Sequence, residues 1–428
     1  MCAASVAASA SASSLELFGF GARGMALAGT SEAVARDYFA TYVNPGNLTA
    51  GSGVHAGLGI DVLRSSFAID RVAGQTRWPS SLPPDSLLAH VGVSSPIGGW
   101  FANRLAVGVV AHIPVTGPAR IDAHDHRTPQ LVLYDTLPDR LVVAFGAGVR
   151  VTSWLSVGAS GQLLATLAGS GDFSLGLLDR RFTERHVDID LLSEVFPILG
   201  VALHPGDRLR IGLVWRAEAM VRYGLPIHVD IEEVGPVDFE VRGLGMYTPD
   251  IWALAGAWRF DGGVIATVGL AWQRWSMAPM LAPDVSFSLS DTALREEGAD
   301  AAPLLEAASI PVPIGGRDIV IPRMGIEWHA GDWWTLRAGA AWRPTPLPRA
   351  DGVANYLDAP ALTLASGVSF IFSDPLGVAR RPLQVDLGAG WTRLSRRTVV
   401  KLDPDDPVVA TSVHGGALHF ALTIHHDF

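Results

Sequence analysis

Trp334-Thr335-Leu336-Arg337-Ala338-Gly339-Ala340-Ala341-Trp342-Arg343 alternates between two kinds of side chain. Trp334, Leu336, Ala338, Ala340 and Trp342 share one parity; Arg337, Gly339, Ala341 and Arg343 share the other. Successive side chains of a strand point to opposite faces, so this is a strand that is apolar on one side and small and cationic on the other. The pattern recurs in Arg210 to Arg216, where Ile211, Leu213 and Trp215 oppose Arg210, Gly212 and Arg216. It recurs again with Leu141, Val143, Phe145, Ala147 and Val149 against Arg140, Gly146, Gly148 and Arg150. A soluble β-sandwich also alternates, with its apolar residues facing a core. Two details favour a membrane barrel instead. Trp252, Trp258, Trp272, Trp328, Trp342 and Trp391 sit near segment ends on the apolar parity, as interface girdles require. The opposite face carries Gly, Ala, Ser and Thr with scattered Arg, as a lumen would.

About fourteen such segments follow one another, an even number as single-chain bacterial barrels need. They run approximately 54–69, 87–95, 103–116, 139–151, 154–168, 185–203, 208–223, 248–260, 264–277, 319–330, 333–343, 360–373, 382–395 and 414–428. Thr152-Ser153, His204 to Asp207, Asp261-Gly262-Gly263 and Gly331-Asp332 are short turns, whereas 117–138, 224–247 and 278–318 are long and polar. Short and long connections alternate, and short turns are the periplasmic ones, so both ends of the barrel sequence are expected in the periplasm. The last segment places Leu418, Phe420, Leu422, Ile424 and Phe428 on one parity.

The expected fold is thus all-β, a fourteen-stranded antiparallel transmembrane β-barrel. A length of 428 residues would otherwise suggest two or three soluble domains. The chain is 49% hydrophobic and only 17% charged, with 46 Gly and 13 Trp, yet it contains no apolar run long enough for a membrane helix. A net charge of −10, with no basic stripe, argues against nucleic acid as a partner. Cys2 is the single cysteine, so neither an intrachain disulfide nor a multi-cysteine metal site is expected.

Residues 54–428 form the barrel in this reading, and the segment before it differs. Residues 1–12 are small and mostly apolar and end in Ala10-Ser11-Ala12, the form of a cleavage site; they read either as a signal-peptide remnant or as a disordered N-terminus. Residues 13–53 do not alternate. Gly19, Gly21, Gly24 and Gly29 punctuate them, Ser31 to Tyr42 is a candidate short helix, and Asn44-Pro45-Gly46-Asn47-Leu48 is a tight turn. The small residues, together with Leu15, Leu17, Phe18 and Phe20, favour packing inside the barrel as a hatch (plug) over dangling in the periplasm.

Gly21-Ala22-Arg23-Gly24-Met25-Ala26-Leu27-Ala28-Gly29-Thr30, then Tyr42-Val43-Asn44-Pro45, resembles the N-terminal hatch of FadL-type outer-membrane transporters. Ala271-Trp272-Gln273-Arg274-Trp275-Ser276 and Pro322-Arg323-Met324-Gly325-Ile326-Glu327-Trp328 extend the resemblance, which covers nearly the whole chain. It implies passive import of long-chain fatty acids or other hydrophobic compounds, captured among the outer loops and released sideways through a gap in the third strand. Here that strand is Asn103 to Thr116, with Gly108 and Pro114 as the gap candidates; alternatively, Pro114 simply ends the strand. Asn44, Pro45 and Gly46 form the hatch motif. The family commonly has Ala where Gly46 stands, and the backbone freedom of Gly would let the turn differ slightly. The expected partners are the hydrophobic ligand, outer-membrane lipid and lipopolysaccharide, and barrel assembly machinery that reads Phe428 at the end of the last strand.

A carboxylate ligand would want cations, and Arg216, Arg323 and Arg337 lie nearest mid-strand on the lumen face; the competing reading is that they brace wall and hatch through ion pairs with Glu327, Asp386 and Glu218. No metal, cofactor or catalytic residue is expected. Asp122-Ala123-His124-Asp125-His126 is a polar loop before it is a metal site. Gly19-Phe20-Gly21-Ala22-Arg23-Gly24 fits a dinucleotide motif but lacks a βαβ unit around it. Two rival functions stay open: an outer-membrane lipid hydrolase, for which no Ser and His spacing stands out, and a structural or adhesive barrel that transports nothing.

Overall fold

In the computed structural model, the described residues are 18–51, 53–71, 80, 82–115, 128–134, 141–176, 181–231, 235–279, 284–289, 315–347, 355–372, 382–401 and 408–428. The strands, in chain order, are β1 (His55–Ser65), β2 (Ala68–Arg71), β3 (Ser86–Pro96), β4 (Leu105–Pro114), β5 (Val142–Arg150), β6 (Leu155–Gly176), β7 (Arg181–Leu203), β8 (Leu209–Arg216) and β9 (Ala219–Ile231). They continue as β10 (Gly235–Thr248), β11 (Ile251–Arg259), β12 (Val264–Gln273), β13 (Asp284–Leu289), β14 (Ile319–His329), β15 (Trp334–Arg343), β16 (Ala361–Phe372), β17 (Leu383–Val400) and β18 (Ala410–Asp427). These segments make one closed antiparallel barrel of fourteen wall strands. The pairs β1/β2, β8/β9 and β10/β11 are each one wall strand with a short break, and β13 pairs with the outer part of β10. The ring closes where β1 meets β18, from His55↔Asp427 to Ser65↔Ala417.

The alternation seen in the sequence becomes an outside and an inside. Leu58, Val91, Leu254, Val268, Met324, Leu364, Leu387 and Phe420 are exposed on the outer face. All six tryptophans assigned to the girdles are exposed there too. Such a face, closed on itself, leaves no unpaired sheet edge for lipid to meet. Both the start of β1 and the end of β18 lie at the short-turn end, where the Phe428 amide donates to the Val54 carbonyl at 2.8 Å.

Two expectations change. The connection expected over 224–247 is largely strand: β9 and β10 pair as a hairpin from Gly235↔Ile231 to Thr248↔Ala219, and β6 runs parallel to β9. Strand pairing therefore continues past the end expected for the seventh segment, because a neighbouring edge is available to receive it. Inside the lumen, helix falls on Gly21–Ala26 (α1) and Ala40–Val43 (α2), whereas Ser31 to Phe39 is turn and coil. The glycines and alanines of α1 bring its backbone against the wall, and tertiary contact outweighs helix propensity. The 1–12 segment and the Asp122–His126 cluster lie outside the described residues.

Candidate functional site

Residues 18–51 are almost entirely buried inside the barrel. Asn44 organises the turn expected there: its Oδ1 accepts from the Gly46 amide at 3.1 Å and caps a 3-10 helix over Pro45–Ala50. Its Nδ2 donates to the carbonyls of Glu32 at 2.8 Å and, on the wall, of Val201 at 3.1 Å. Space at Gly46 is narrow rather than closed. A Cβ there would sit 3.0 Å from the Ala202 amide nitrogen and 3.1 Å from the Gly200 oxygen, and its φ is not left-handed.

The wall makes room by omitting side chains. A Cβ on Gly158 would lie 2.3 Å from the Pro45 carbonyl carbon, and one on Gly212 would lie 2.1 Å from the Glu32 oxygen. A Cβ on Gly92 would lie 2.2 Å from the Tyr38 ring, and one on Gly339 would lie 2.5 Å from the Leu27 backbone. Most wall strands contribute a glycine or alanine to this collar. Lumen-facing small residues, which in the sequence only suggested an interior, are the surface on which the segment seats.

Charge then ties it down. Arg23 of α1 forks onto Glu327 of β14, Nε to Oε2 at 3.0 Å and Nη2 to Oε1 at 3.2 Å. Burial works against the Arg23 charge, but Glu327, together with Asp37 and Asp386, outweighs it and the guanidinium's proton affinity is raised. Arg337 donates to the same Glu327 and to Ser369, and lies 3.4 Å from Asp386, which His425 approaches at 3.2 Å. Arg323 donates to the Gly29 carbonyl at 2.6 Å and to Glu32 at 2.7 Å. Arg216 lies over the Tyr42 ring at 4.7 Å and donates to the Val43 carbonyl at 3.3 Å. The three mid-strand arginines thus all point inward. Arg216 and Arg323 grip the inner segment directly, and Arg337 positions the acceptor of Arg23.

At β4, pairing is continuous, from Leu88↔Pro114 to Pro96↔Ala106 on one side and from Leu105↔Val149 to His112↔Val142 on the other. Gly108 is covered from inside: a Cβ there would meet Thr41 Oγ1 at 2.2 Å and Leu48 at 2.9 Å. Pro114 is the last residue of the strand. Across β1, β3 and β4, Asp61 Oδ2 is 3.0 Å from His90 Nδ1 and 3.2 Å from His112 Nε2, a buried stitch next to Phe20 and Phe39.

The long-loop end has a closure of its own, which the sequence did not announce. Leu131, Val132, Leu133 and Tyr134 are fully buried, and Gln130 bridges to Tyr356. Arg343 locks this cap with two bonds to Asp358, at 2.9 and 2.8 Å, and one to the Tyr134 hydroxyl at 2.8 Å. Burial pushes the Tyr134 hydroxyl up, so it stays protonated. Between the two closures, apolar side chains are continuous: a single cluster joins Phe20, Tyr42 and Leu48 to Val214, Ile251 and Trp275 and then to Leu133 and Leu357.

A ring of outward-apolar strands around a seated inner segment and a greasy, capped lumen defines a plugged membrane barrel. The chain belongs to the family described as outer membrane protein transport protein (OMPP1/FadL/TodX), whose model matches residues 1–428. It is 21% identical over 391 residues to alkane uptake protein A of Marinobacter nauticus, covering 86% of this chain and 82% of that one. In fold it is similar to the P. putida toluene transporter TodX, with a TM-score of 0.60, 14% identity, and 96% and 99% of the two chains covered. A Pseudomonas aeruginosa FadL homologue gives a TM-score of 0.59 at 13% identity over 99% and 100% of the chains. The protein is therefore an outer-membrane barrel of a transport family, not an enzyme.

Proposed function

We propose that the protein passes hydrophobic small molecules, long-chain fatty acids or hydrocarbons, from the cap to the membrane by way of the lumen. The observation that carries this reading is the unbroken apolar cluster from Leu133 to Phe20. A greasy molecule that displaces one member of the cluster meets another apolar surface at each step, so little water need be reorganised. Residues 13–53 act as the hatch and 54–428 as the barrel. The short-turn end, which holds both ends of the barrel sequence, faces the periplasm. Lateral release at Gly108 would require Thr41 and Leu48 to withdraw, and ligand contact by Arg216, Arg323 or Arg337 would require exchange of their present partners. The apolar face of β18 ending at Phe428 would serve assembly.

The test is a reversible lock on the cap. Gln130→Cys with Tyr356→Cys, in a Cys2→Ser background, joins bridge partners that lie within disulfide reach. Cells should lose uptake of radiolabelled oleate, hexadecane and toluene when oxidised and regain it when reduced. Uptake that ignores the oxidation state would overturn the route. Orientation is tested separately: Val409→Cys, exposed at the long-loop end, should react with a membrane-impermeant maleimide on intact cells.

A further inference from the structure

Three irregularities of the wall coincide on its outer face. Wall strand one breaks at Ser66 between β1 and β2. Opposite it, Gly415 is left-handed, with φ at 96°, and Gly416 next to it adds no side chain. On the other side of β18, the β17 register shifts between Leu394 and Arg397, so Ser395 and Arg396 bulge from the ladder. A bulge re-aims side chains, and paired glycines leave a hollow. The result is a notch of about 570 Å³ whose lining includes Trp391, Leu362, Arg393, Arg396, His414 and Ser66.

Its height along the wall is set by register. Arg64, Leu418 and Trp391 form one outward row, and Arg393, Gly416 and Ser66 lie in the next row toward the long loops. Below these rows the outward face is apolar, with Leu387 and Phe420 exposed. An outward arginine costs about 2–4 kcal/mol at the bilayer midplane and close to nothing at the interface, so Arg393 belongs at head-group level. The carboxylates nearby are already held: Asp85 by the Ser65 amide at 2.7 Å and Arg64 at 3.4 Å, and Asp70 by His414 at 2.8 Å and loosely by Arg396 at 3.6 Å, both ends of the last pair being largely exposed. Arg393 only overlies the Trp391 ring, at 5.8 Å, and has no carboxylate partner among the described residues. In a chain of net charge −10, this is a cationic hollow above an apolar ledge.

We propose that the notch binds a phosphorylated glycolipid of the outer leaflet. A phosphate would sit between Arg393 and Arg396, where guanidinium forks match its oxygens. An acyl chain would lie down the wall over Trp391, Leu418 and Leu362. The assignment rests on the orientation proposed above, but its test does not: binding in micelles is independent of which end faces outward, and that is read by the Val409→Cys labelling.

The test uses the full-length protein in detergent with bisphosphorylated lipid A as probe, retention being read by native mass spectrometry. Wild type should retain it, and Arg393→Ala with Arg396→Ala should weaken retention by about tenfold or more, the value of a lost charge-assisted pair. Arg208→Ala, at the opposite rim, should change nothing. Dephosphorylated lipid A should bind wild type and the double variant equally weakly. Equal lipid A retention by wild type and the double variant overturns the proposal. So does equal retention of phosphatidylglycerol, or full displacement by millimolar inorganic phosphate. Should the double variant not fold, Arg393→Gln alone carries the same comparison.

Discussion

The lumen is closed twice, and the two closures are built from opposite materials. The hatch is fastened by many ties: side chains of Arg150, Arg216 and Arg323 to backbone oxygens of Thr49, Val43 and Gly29, Ser160 to Thr41, Arg323 to the Glu32 carboxylate, and Arg23 to Glu327, which Arg337 shares. The cap is an apolar plug with one dry lock, Arg343 on Asp358. Distributed ties can be exchanged one at a time, each carrying only part of the whole. A single buried pair is either made or broken, because removing one partner strands the other charge. The hatch is thus suited to graded rearrangement and the cap to two-state opening.

The sharpest way to break this contrast is at the lock. Asp358→Ala should lower the unfolding free energy by about 3–5 kcal/mol in urea titrations of the lipid-embedded barrel. Hydrogen exchange should rise over 128–134 while residues 18–51 stay protected; equal loss in both would make the closures one unit. Glu327→Gln addresses the other side. It weakens three charge-assisted bonds, two from Arg23 and one from Arg337, which keeps Asp386 and Ser369; the cost should be about 1.5–3 kcal/mol, and exchange should rise at α1 with the cap unchanged. The smallest effect is expected at Gly46→Ala, where the added Cβ meets backbone at 3.0 Å that can shift by a few tenths of an ångström. It should cost less than about 1 kcal/mol and leave oleate uptake within about twofold of wild type.

Much of the wall was legible because membrane strands must alternate, so Trp342 and Arg343 declare their faces from adjacent positions. All fourteen wall segments could be placed this way. The resemblance carried by Gly21 to Thr30 and Tyr42 to Pro45 placed the hatch. The cap was not legible. Leu131 to Tyr134 is four residues without period, and its burial depends on Asn355 to Ala359, more than two hundred residues away. The partners of Arg216, Arg323 and Arg337 were equally hidden. Parity says that a side chain faces inward, but not whether it meets ligand, wall or hatch. Gly46 shows the same limit, since the narrow space around it is set by Gly200 and Ala202 on a distant wall strand.

The seam between β1 and β18 has a consequence for how the protein is made. Joining them closes a loop of nearly the whole chain, the most entropically demanding pairing in the molecule. The hatch lies on both sides of that joint from within: Ala22 donates to Thr423 of β18 at 3.1 Å, Phe18 meets the His419 ring at 4.7 Å, and Tyr38 packs against Gly57 of β1. The segment that fills the finished lumen is therefore also placed to serve as an inner mandrel for its last weld. A chain lacking the hatch should fold more slowly as well as leak.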